Sequence, residues 1–325
     1  MSSKRALVTG GLGFIGSHMV NGLVRRKYSV TVVDSKPADI YHSPSNTTVK
    51  YIQADLEDPK GFDKAFEQKF DVVFHLAGRA SLIGAWSEPE RDIKPNIIGT
   101  VNVIKKCIQY RIPRLLYASS ASVYGDASQT PIPETEPCVP TSYYGITKYA
   151  AERYAHVTSE RPDLDFPFAV TSFRLFNVYG EGQSLTNPYQ GVVGIFLGKL
   201  LRGEPLTIFS NGKQTRDFVY VGDVANAWIM AIDQKETFGK IFNIGSGEEH
   251  TVEEVARILQ ERISQFQAKN PTIYSSAELG GAQKSVADIS RITRTLGWKP
   301  KTSFTEGISR TVEWARHLGP HDLYV

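Results

Sequence analysis

A glycine-rich turn near the start of the chain limits the fold more than any other feature of the sequence. The segment Gly10-Gly11-Leu12-Gly13-Phe14-Ile15-Gly16 follows an apolar run at 6–9 and opens a helix-like stretch from about 14 to 26. Glycines permit a tight turn and let backbone N–H groups approach a pyrophosphate, whose charge the helix N-terminus stabilises. Because the flanking strand and helix are what this motif requires, Gly10, Gly13 and Gly16 are predicted to bind a dinucleotide.

Strand and helix signals alternate through the first half of the chain. A long helix is predicted over about 92–110. The predicted strands, which are apolar or β-branched, lie at 6–9, 30–33, 49–52, 72–76 and 115–118. Strands that alternate with helices form right-handed crossovers in a parallel sheet covered by helices on both faces. We therefore predict an α/β fold with a Rossmann-type doubly wound parallel sheet.

The regular pattern fades after about Arg174. Residues 177–190 are rich in Gly, Asn, Pro and Gln and indicate a loop, and Thr251 with Glu254 forms a capping box at the start of a helix. Further helices are predicted at 192–201, 224–232, 289–296 and 305–317. We predict an NAD-binding Rossmann domain at 1–175. Residues 176–325 are predicted to form mainly a smaller C-terminal substrate-binding domain, with some segments returning to the Rossmann domain.

Composition excludes several classes of protein. The 325 residues carry a net charge of +3, which does not suggest a nucleic-acid or membrane binder. Two cysteines, Cys107 and Cys138, form neither a disulfide framework nor a zinc site alone, so we predict a reducing compartment and no metal. The sequence shows no signal peptide and no apolar segment long enough to span a bilayer. The expected location is the cytoplasm.

An acidic residue ends the second predicted strand. Asp34 lies 18 residues after Gly16, where a carboxylate would hydrogen-bond the adenosine ribose hydroxyls. A carboxylate there repels a 2′-phosphate, so NAD is favoured over NADP, although Lys36 nearby could soften that preference. Asp34 could instead serve only as a cap or turn residue. Asp55-Leu56, after the third strand, is a candidate for the adenine side of the cofactor.

Tyr144 and Lys148 are spaced i and i+4, which places both side chains on one face of a helix. With 15 tyrosines, about one such pair is expected by chance. The pair lies one strand–helix unit beyond Ser120, in a chain that already carries a dinucleotide motif, and this position makes it a candidate catalytic pair. An ammonium and a positive nicotinamide both favour the phenolate, so the pKa of Tyr144 is expected to fall toward neutrality. Tyr144 is then a candidate general base toward a substrate hydroxyl that is being oxidised. Ser120 is a candidate to hydrogen-bond the oxygen of that hydroxyl. Tyr143 competes by adjacency, but its i+4 partner Thr147 provides no charge.

Other short motifs extend from the first strand to the end of the chain. They are Gly10-x-x-Gly13-x-x-Gly16, His75-Leu76-Ala77-Gly78, Asn96-x-x-Gly99-Thr100, Ser119-Ser120-Ala121-Ser122-Val123-Tyr124-Gly125, Phe173-Arg174-Leu175-Phe176-Asn177-Val178-Tyr179-Gly180, Thr215-Arg216-Asp217-Phe218-Val219-Tyr220-Val221-Gly222-Asp223, Val286-Ala287-Asp288-Ile289-Ser290 and Leu296-Gly297-Trp298. With the Tyr144–Lys148 pair, they resemble the extended short-chain dehydrogenases/reductases that act on nucleotide sugars, of the UDP-glucose 4-epimerase type.

The resemblance implies an NAD site and a nucleotide sugar bound between two domains. Asn177 should touch the substrate phosphates, and the Arg216 guanidinium should pair with the diphosphate. Without the family, Arg216 beside Asp217 would equally indicate a surface ion pair. The residues implied for NAD are Gly10, Gly13, Phe14, Ile15, Gly16, Asp34, Asp55, Leu56, Leu76, Ala77, Gly78, Asn96, Tyr144 and Lys148.

The same resemblance implies a homodimer. Members of this type pair through two helices, here near 97–110 and 144–158. The apolar residues Ile104, Ile108 and Ala151 could instead pack only on the sheet.

The two residues after Ser120 separate the family by reaction. The 4,6-dehydratases carry an Asp-Glu pair there, the nucleotide-sugar decarboxylases a Glu at the position of Ser122, and GDP-fucose synthases a nearby Cys. This chain has Ala121-Ser122. We predict NAD-dependent 4-epimerisation through a transient 4-keto sugar. The alternatives are 4-ketoreduction, dehydrogenation or dehydration of a nucleotide sugar, and a non-catalytic NAD-binding regulator, which the complete Ser–Tyr–Lys set disfavours.

Two positions near the C-terminus bear on the substrate. Ser285 matches the position where a Tyr excludes 2-acetamido sugars, so it leaves room for an N-acetyl group unless a neighbour refills the space. Family members usually carry a second diphosphate-binding Arg where this chain has Glu278. A shifted alignment, substitution by Lys284 or an unusual substrate would each account for that departure.

Overall fold

Short apolar and β-branched segments of the sequence form the strands of the molecule. The computed structural model describes residues 3–37, 49–79, 88–187, 191–263, 271–276 and 283–319. The strands are β1 (Arg5–Thr9), β2 (Ser29–Asp34), β3 (Val49–Gln53), β4 (Val72–His75), β5 (Arg114–Ser120), β6 (Ala169–Leu175), β7 (Asn177–Tyr179), β8 (Leu206–Phe209), β9 (Thr215–Arg216), β10 (Phe218–Tyr220), β11 (Lys240–Ile244), β12 (His250–Thr251), β13 (Thr272–Ser275) and β14 (Lys284–Ser285). The α-helices are α1 (Phe14–Arg25), α2 (Glu90–Ile93), α3 (Gly99–Gln109), α4 (Tyr143–Ser159), α5 (Val192–Leu201), α6 (Val221–Met230), α7 (Val252–Ile263), α8 (Ser290–Leu296) and α9 (Phe304–Arg316).

Seven of these strands form one sheet in the order β11-β6-β5-β4-β1-β2-β3. Every neighbouring pair in it is parallel. The run from β3 to β6 has the strand order of a Rossmann fold, and β11 extends it at one edge. The predicted doubly wound α/β fold is therefore confirmed. Because the strands are parallel, the carboxyl ends of β1, β2, β4 and β5 lie at the same end of the sheet, where ligands bind in folds of this kind.

Helices cover both faces of the sheet, which explains why its strands are apolar on both sides. On one face, Met19 and Leu23 of α1 and Trp228 of α6 pack in one core. On the other face, Val103 of α3 and Ala155 of α4 belong to a second core. Burial of these side chains is the main favourable contribution to folding.

A further core lies in the C-terminal half. It joins apolar residues of α5, β8, β10, α7 and α9. In contrast, β11 pairs with β6, and α6 packs on α1, so these parts of 176–325 belong to the main sheet. The sequence pattern did not predict strands β6 and β11. The boundary at 175 stays a prediction.

Two helix predictions need correction. The helix predicted over 92–110 is interrupted, because Lys94–Ile98 form a π-helical turn in which the Gly99 N–H donates to the Lys94 carbonyl. Thr251 caps α7 as predicted, accepting a bond from the Glu254 N–H at 3.0 Å. The Glu254 carboxylate does not reach back to the cap, since it pairs with His250 Nδ1 at 3.2 Å.

Within the described ranges, no helix is both long enough and apolar enough to cross a membrane.

Candidate active site

The glycine turn packs so closely that side chains are excluded from it. Gly10 has a φ of +70°, and a Cβ there would lie 2.6 Å from the Ala77 nitrogen. A Cβ at Gly16 would lie 2.0 Å from the Gly10 carbonyl oxygen. Helix α1 begins at Phe14 with Gly13 as its N-cap and without a capping side chain. The N–H groups at Phe14, Ile15 and Gly16 are thus free of a capping carboxylate and fit a dinucleotide pyrophosphate.

Asp34 lies beside this turn, at the end of β2. Its carboxylate accepts hydrogen bonds from the Leu12 N–H at 2.9 Å and from the Lys36 N–H at 3.1 Å. These bonds fix the carboxylate where it could accept from a ribose hydroxyl. Asp55 is exposed and accepts from the Glu57 N–H at 2.9 Å. Leu56 is buried in the sheet core, so its predicted contact with adenine stays a prediction.

A hydrogen-bond chain fixes the end of β4. Thr100 donates its hydroxyl proton to the Asn96 carbonyl, so it accepts from His75 Nε2 at 2.8 Å. His75 Nδ1 then accepts from the Thr9 hydroxyl at 2.7 Å. Burial, with a smaller contribution from the Lys148 charge, lowers the pKa of His75 to about 3. The imidazole is therefore neutral and holds β1, β4 and α3 together.

Asn96 supports the loop that follows β4. Its Oδ1 accepts from the Arg79 N–H at 2.8 Å, and its Nδ2 donates to the Arg79 carbonyl at 3.1 Å and to Thr147 Oγ1 at 3.0 Å. A Cβ at Gly78 would lie 2.7 Å from Asn96 Oδ1 and 3.4 Å from Lys148 Nζ. The loop of Leu76, Ala77 and Gly78 is thereby held against α4, beside Lys148. A direct contact of Asn96 with NAD stays a prediction.

The structure brings Ser120, Tyr144 and Lys148 together. Ser120 ends β5 and caps a 3₁₀ turn at Ala121–Val123, while Tyr144 lies in the first turn of α4 and hydrogen-bonds Ser120. Lys148 Nζ donates to the Ala118 carbonyl at 2.7 Å. Burial lowers the pKa of Lys148 to about 8.

The expected direction of the Tyr144 pKa is wrong for the protein alone. Burial raises the pKa of Tyr144 to about 12; the hydrogen bond from Ser120 opposes this rise, and the charge of Asp92 adds to it. Lys148 is itself buried and donates to a backbone carbonyl, which the i, i+4 spacing does not reveal. Tyr144 is thus a neutral phenol at pH 7 in the protein, and a further positive charge is needed to favour the phenolate.

The helix face that carries Tyr144 and Lys148 continues as a polar stripe, which the sequence interpretation missed. Glu152 pairs with Arg174 of β6, with Oε1–Nη2 and Oε2–Nε distances of 2.6 and 3.1 Å. One turn further, His156 Nε2 lies 2.9 Å from Ser172 Oγ. The regular spacing of four residues from Tyr144 to His156 was the available signal. The stripe fixes α4 against β5 and β6.

Asn177, Arg216 and Ser285 are also neighbours. Ser285 pairs in register with Arg216, and the backbone of Asp217 links β14 to β7. The Asp217 N–H donates to the Ser285 carbonyl at 2.9 Å, and Asn177 donates its backbone and side-chain N–H groups to the Asp217 carbonyl at 3.0 and 3.1 Å. Ser120 of β5 is in register with Leu175 of β6, two residues before Asn177. The predicted substrate residues therefore lie beside the end of the main sheet.

The alternative of a surface ion pair between Arg216 and Asp217 is wrong. Asp217 is fully buried, and its carboxylate accepts from the N–H groups of Ser246, Gly247 and Ala287 at 2.6, 2.9 and 3.1 Å. Burial still raises the pKa of Asp217, and these bonds oppose the rise. Arg216 Nη1 instead donates to the Thr215 carbonyl at 2.8 Å. Glu278 lies outside the described residues.

A comparison of the sequence with known protein families agrees with the sheet, the glycine turn and the Ser–Tyr–Lys group. Residues 6–245 match the NAD dependent epimerase/dehydratase family. The chain belongs to this family. It is an NAD-dependent enzyme of the epimerase type, and the glycine turn and Asp34 fit that cofactor.

Relatives within the NAD-dependent epimerase/dehydratase family match nearly the full length of the chain. The UDP-glucose 4-epimerase of Mycolicibacterium smegmatis is 33% identical, over 96% of this chain and 99% of the relative. The UDP-N-acetyl-alpha-D-glucosaminuronate decarboxylase of Bacillus cytotoxicus is 30% identical, over 97% and 98%. The crystal structure of a Thermotoga maritima UDP-glucose 4-epimerase with UDP-glucose is 36% identical, with a TM-score of 0.87 and coverage of 96% of this chain and 98% of that chain.

Proposed function

We propose that the protein catalyses NAD-dependent 4-epimerisation of a nucleotide-diphosphate hexose, of the UDP-glucose/galactose or UDP-GlcNAc/GalNAc type. The observation that carries the proposal is the contact of Ser120 with Tyr144, one helical turn from Lys148, with no titratable group at Ala121 or Ser122. Such a group can remove one proton from one hydroxyl and return it there. It offers no second acid for elimination of water.

The residues of this chain divide the reaction between them. Bound NAD supplies a positive charge, a hydride acceptor for the first half of the reaction and a hydride donor for the second. Tyr144 takes the proton of the sugar 4-hydroxyl. It returns the proton after the 4-keto sugar has rotated about its diphosphate linkage and presents its other face. Ser120 lies beside the same oxygen and hydrogen-bonds the phenol of Tyr144. The ammonium of Lys148, held by the Ala118 carbonyl, favours the phenolate when it is charged.

Arg216, Asn177 and Ser285 are the proposed substrate residues. The guanidinium fork of Arg216 matches the geometry of a diphosphate. Burial lowers the pKa of Arg216, and an anionic ligand beside the guanidinium would offset this cost of desolvation. Ser285 shares the strand register of Arg216, so it would lie near the sugar side of the diphosphate. Its small side chain supports acceptance of an N-acetyl group. Asn177 adds an amide beside them.

A decarboxylase is the second candidate, because the Bacillus cytotoxicus relative is nearly as similar as the epimerase. For that reaction the family resemblance implies a Glu at the position of Ser122. The neutral hydroxyl at Ser122 therefore favours epimerisation. Net ketoreduction or dehydrogenation would also use the same three residues, but it would consume or produce NADH.

The function can be tested with the protein as purified. We expect NAD in the supernatant after denaturation, because a cofactor regenerated in each turnover need not leave. Incubation with UDP-, dTDP-, GDP- and CDP-hexoses should yield a 4-epimer of one series by chromatography, with no net change in absorbance at 340 nm. A uronic-acid substrate that loses CO₂, or stoichiometric NADH, would contradict the proposal.

We also propose a homodimer through α4 and through α3 with the π-helical turn before it. Ile104 and Ala151 face the core, as the alternative interpretation allowed, and Ile108 packs against it. Other apolar side chains on these helices face outward. Ile98 is 45% exposed, Tyr154 54% and Val157 52%. An exposed apolar face of this kind is typical of a protein–protein interface.

The dimer predicts a mass change on substitution of this face. We expect wild-type protein to be dimeric at micromolar concentration by light scattering, and the Tyr154→Asp/Val157→Asp variant to be monomeric. Ile273→Asp is the control, because Ile273 is equally exposed at 51% but lies on β13. A monomeric wild-type protein, or dissociation by the control, would contradict the assignment.

A further inference from the structure

The hydrogen bonds around Ser120 have a defined direction. Ser120 Oγ accepts from the Ser122 N–H at 3.2 Å and from the Ser122 hydroxyl at 2.9 Å. A serine hydroxyl has two lone pairs and one proton. With both lone pairs engaged, Ser120 is left with only its proton to offer. Its remaining described partner is the phenol of Tyr144.

We propose that Ser122 is a positioning residue that directs the Ser120 proton onto the phenolic oxygen of Tyr144. The inference rests on the proposed role of Tyr144 as the base. Ser122 touches Ser120 and not the phenol, so it acts through its neighbour. The chain of donors runs from Ser122 to Ser120 to Tyr144.

The direction matters because a donor to the phenolic oxygen favours its ionised form. Burial and the carboxylate of Asp92 act in the opposite sense. The titratable groups that face Tyr144 from the described elements are Asp92 of α2, Tyr117 of β5 and Lys148 of its own helix. Arg79 stands 3.9 Å from Asp92. Ser122 does not titrate, so its contribution is constant over the working pH range.

The 3₁₀ turn alone does not require the Ser122 hydroxyl. The backbone N–H of residue 122 caps the turn whatever its side chain is, since it already donates to Ser120 Oγ. A side chain without a hydroxyl would leave one lone pair of Ser120 open. Ser120 could then accept a proton from the Tyr144 phenol instead of donating to it, and the wrong direction would stabilise the neutral phenol.

The test compares two side chains of the same shape. Ser122→Val removes the hydroxyl, and Ser122→Thr keeps it. We expect Ser122→Val to lower kcat roughly tenfold, the effect of one lost hydrogen bond, with little change in KM for the nucleotide sugar. The ascending limb of its pH profile, where Tyr144 loses its proton, should move to higher pH. Ser122→Thr should recover most of the loss, and Ser122→Ala repeats the test without the added methyl groups.

A second readout does not depend on turnover. Protein labelled with ¹³C at the tyrosine Cζ should show one resonance that Tyr144→Phe removes. We expect Ser122→Val to shift that resonance and Ser122→Thr to leave it close to its place. Equal kcat values and equal resonances in the two variants would overturn the inference. If Tyr144→Phe itself kept full activity, the proposed function of Tyr144 would fail instead.

Discussion

Replacement of Tyr144 by Phe should lower kcat by a factor of about 10²–10⁴, the usual contribution of a general base. The variant loses only the hydroxyl that takes the proton from the sugar. Folding and NAD content should be retained, because Phe fills nearly the same volume. The measurement is turnover of the substrate identified by the chromatographic screen, together with NAD released on denaturation.

Tyr143→Phe is the matched control, one residue away on the same helix and partly exposed. It should keep near-wild-type turnover. Full activity in Tyr144→Phe would show that another group is the base. Tyr143 and Tyr124 would then be the first residues to test. Tyr124 is the weaker of the two, since its hydroxyl is buried and donates to Asn243 Oδ1 at 2.6 Å.

Breaking the buried ion pair of α4 should cost about 3–5 kcal/mol of the free energy of unfolding. The Glu152 side chain is 0% exposed and that of Arg174 is 4% exposed, so either charge left alone would be uncompensated. Burial would lower the pKa of Arg174, but the bond to Glu152 reverses this and raises it. We expect Arg174→Met to lower the midpoint of urea denaturation strongly.

A surface pair provides the comparison. Arg257 and Glu261 are also paired, but their side chains are 59% and 61% exposed. Glu261→Ala should therefore change the free energy of unfolding by about 0.5 kcal/mol or less. The double variant Glu152→Gln/Arg174→Met should be less destabilised than the sum of its single variants, because no lone charge remains. Similar losses for Arg174→Met and Glu261→Ala would contradict the assignment.

The sequence predicted the parts of the molecule that depend on short-range order. The glycine turn, the strand runs and the Tyr144–Lys148 spacing are each local patterns. The structure forms the sheet from those strands, with the glycine turn at the end of β1 and Tyr144 bonded to Ser120 at the end of β5. Asp217 shows what such patterns miss. Its neighbour Arg216 indicated an ion pair, yet its partners come from Ser246, Gly247 and Ala287, far along the chain.

The pKa of Tyr144 was mispredicted for a related reason. Spacing gives the distance between two side chains on a helix, but it does not give the burial of either of them. Desolvation depends on how β5 and α2 pack around the phenol, which only the tertiary structure defines. The ion pair between Glu152 and Arg174 was likewise invisible, since it joins a helix to a strand 22 residues away.

The π-helical turn at Lys94–Ile98 makes the length of this segment critical. A π turn holds one residue more than an α turn of the same rise, so it absorbs an extra residue without rotating the helices on either side of it. Deletion of one residue here would restore a regular helix and leave α2 and α3 in their relative orientation, but it would move the residues inside the turn. Asn96 would then turn away from Arg79, whereas Thr100 on α3 would keep its bond to His75. A shortened chain could thus keep every residue of the Gly78 loop and still lose the support that places it.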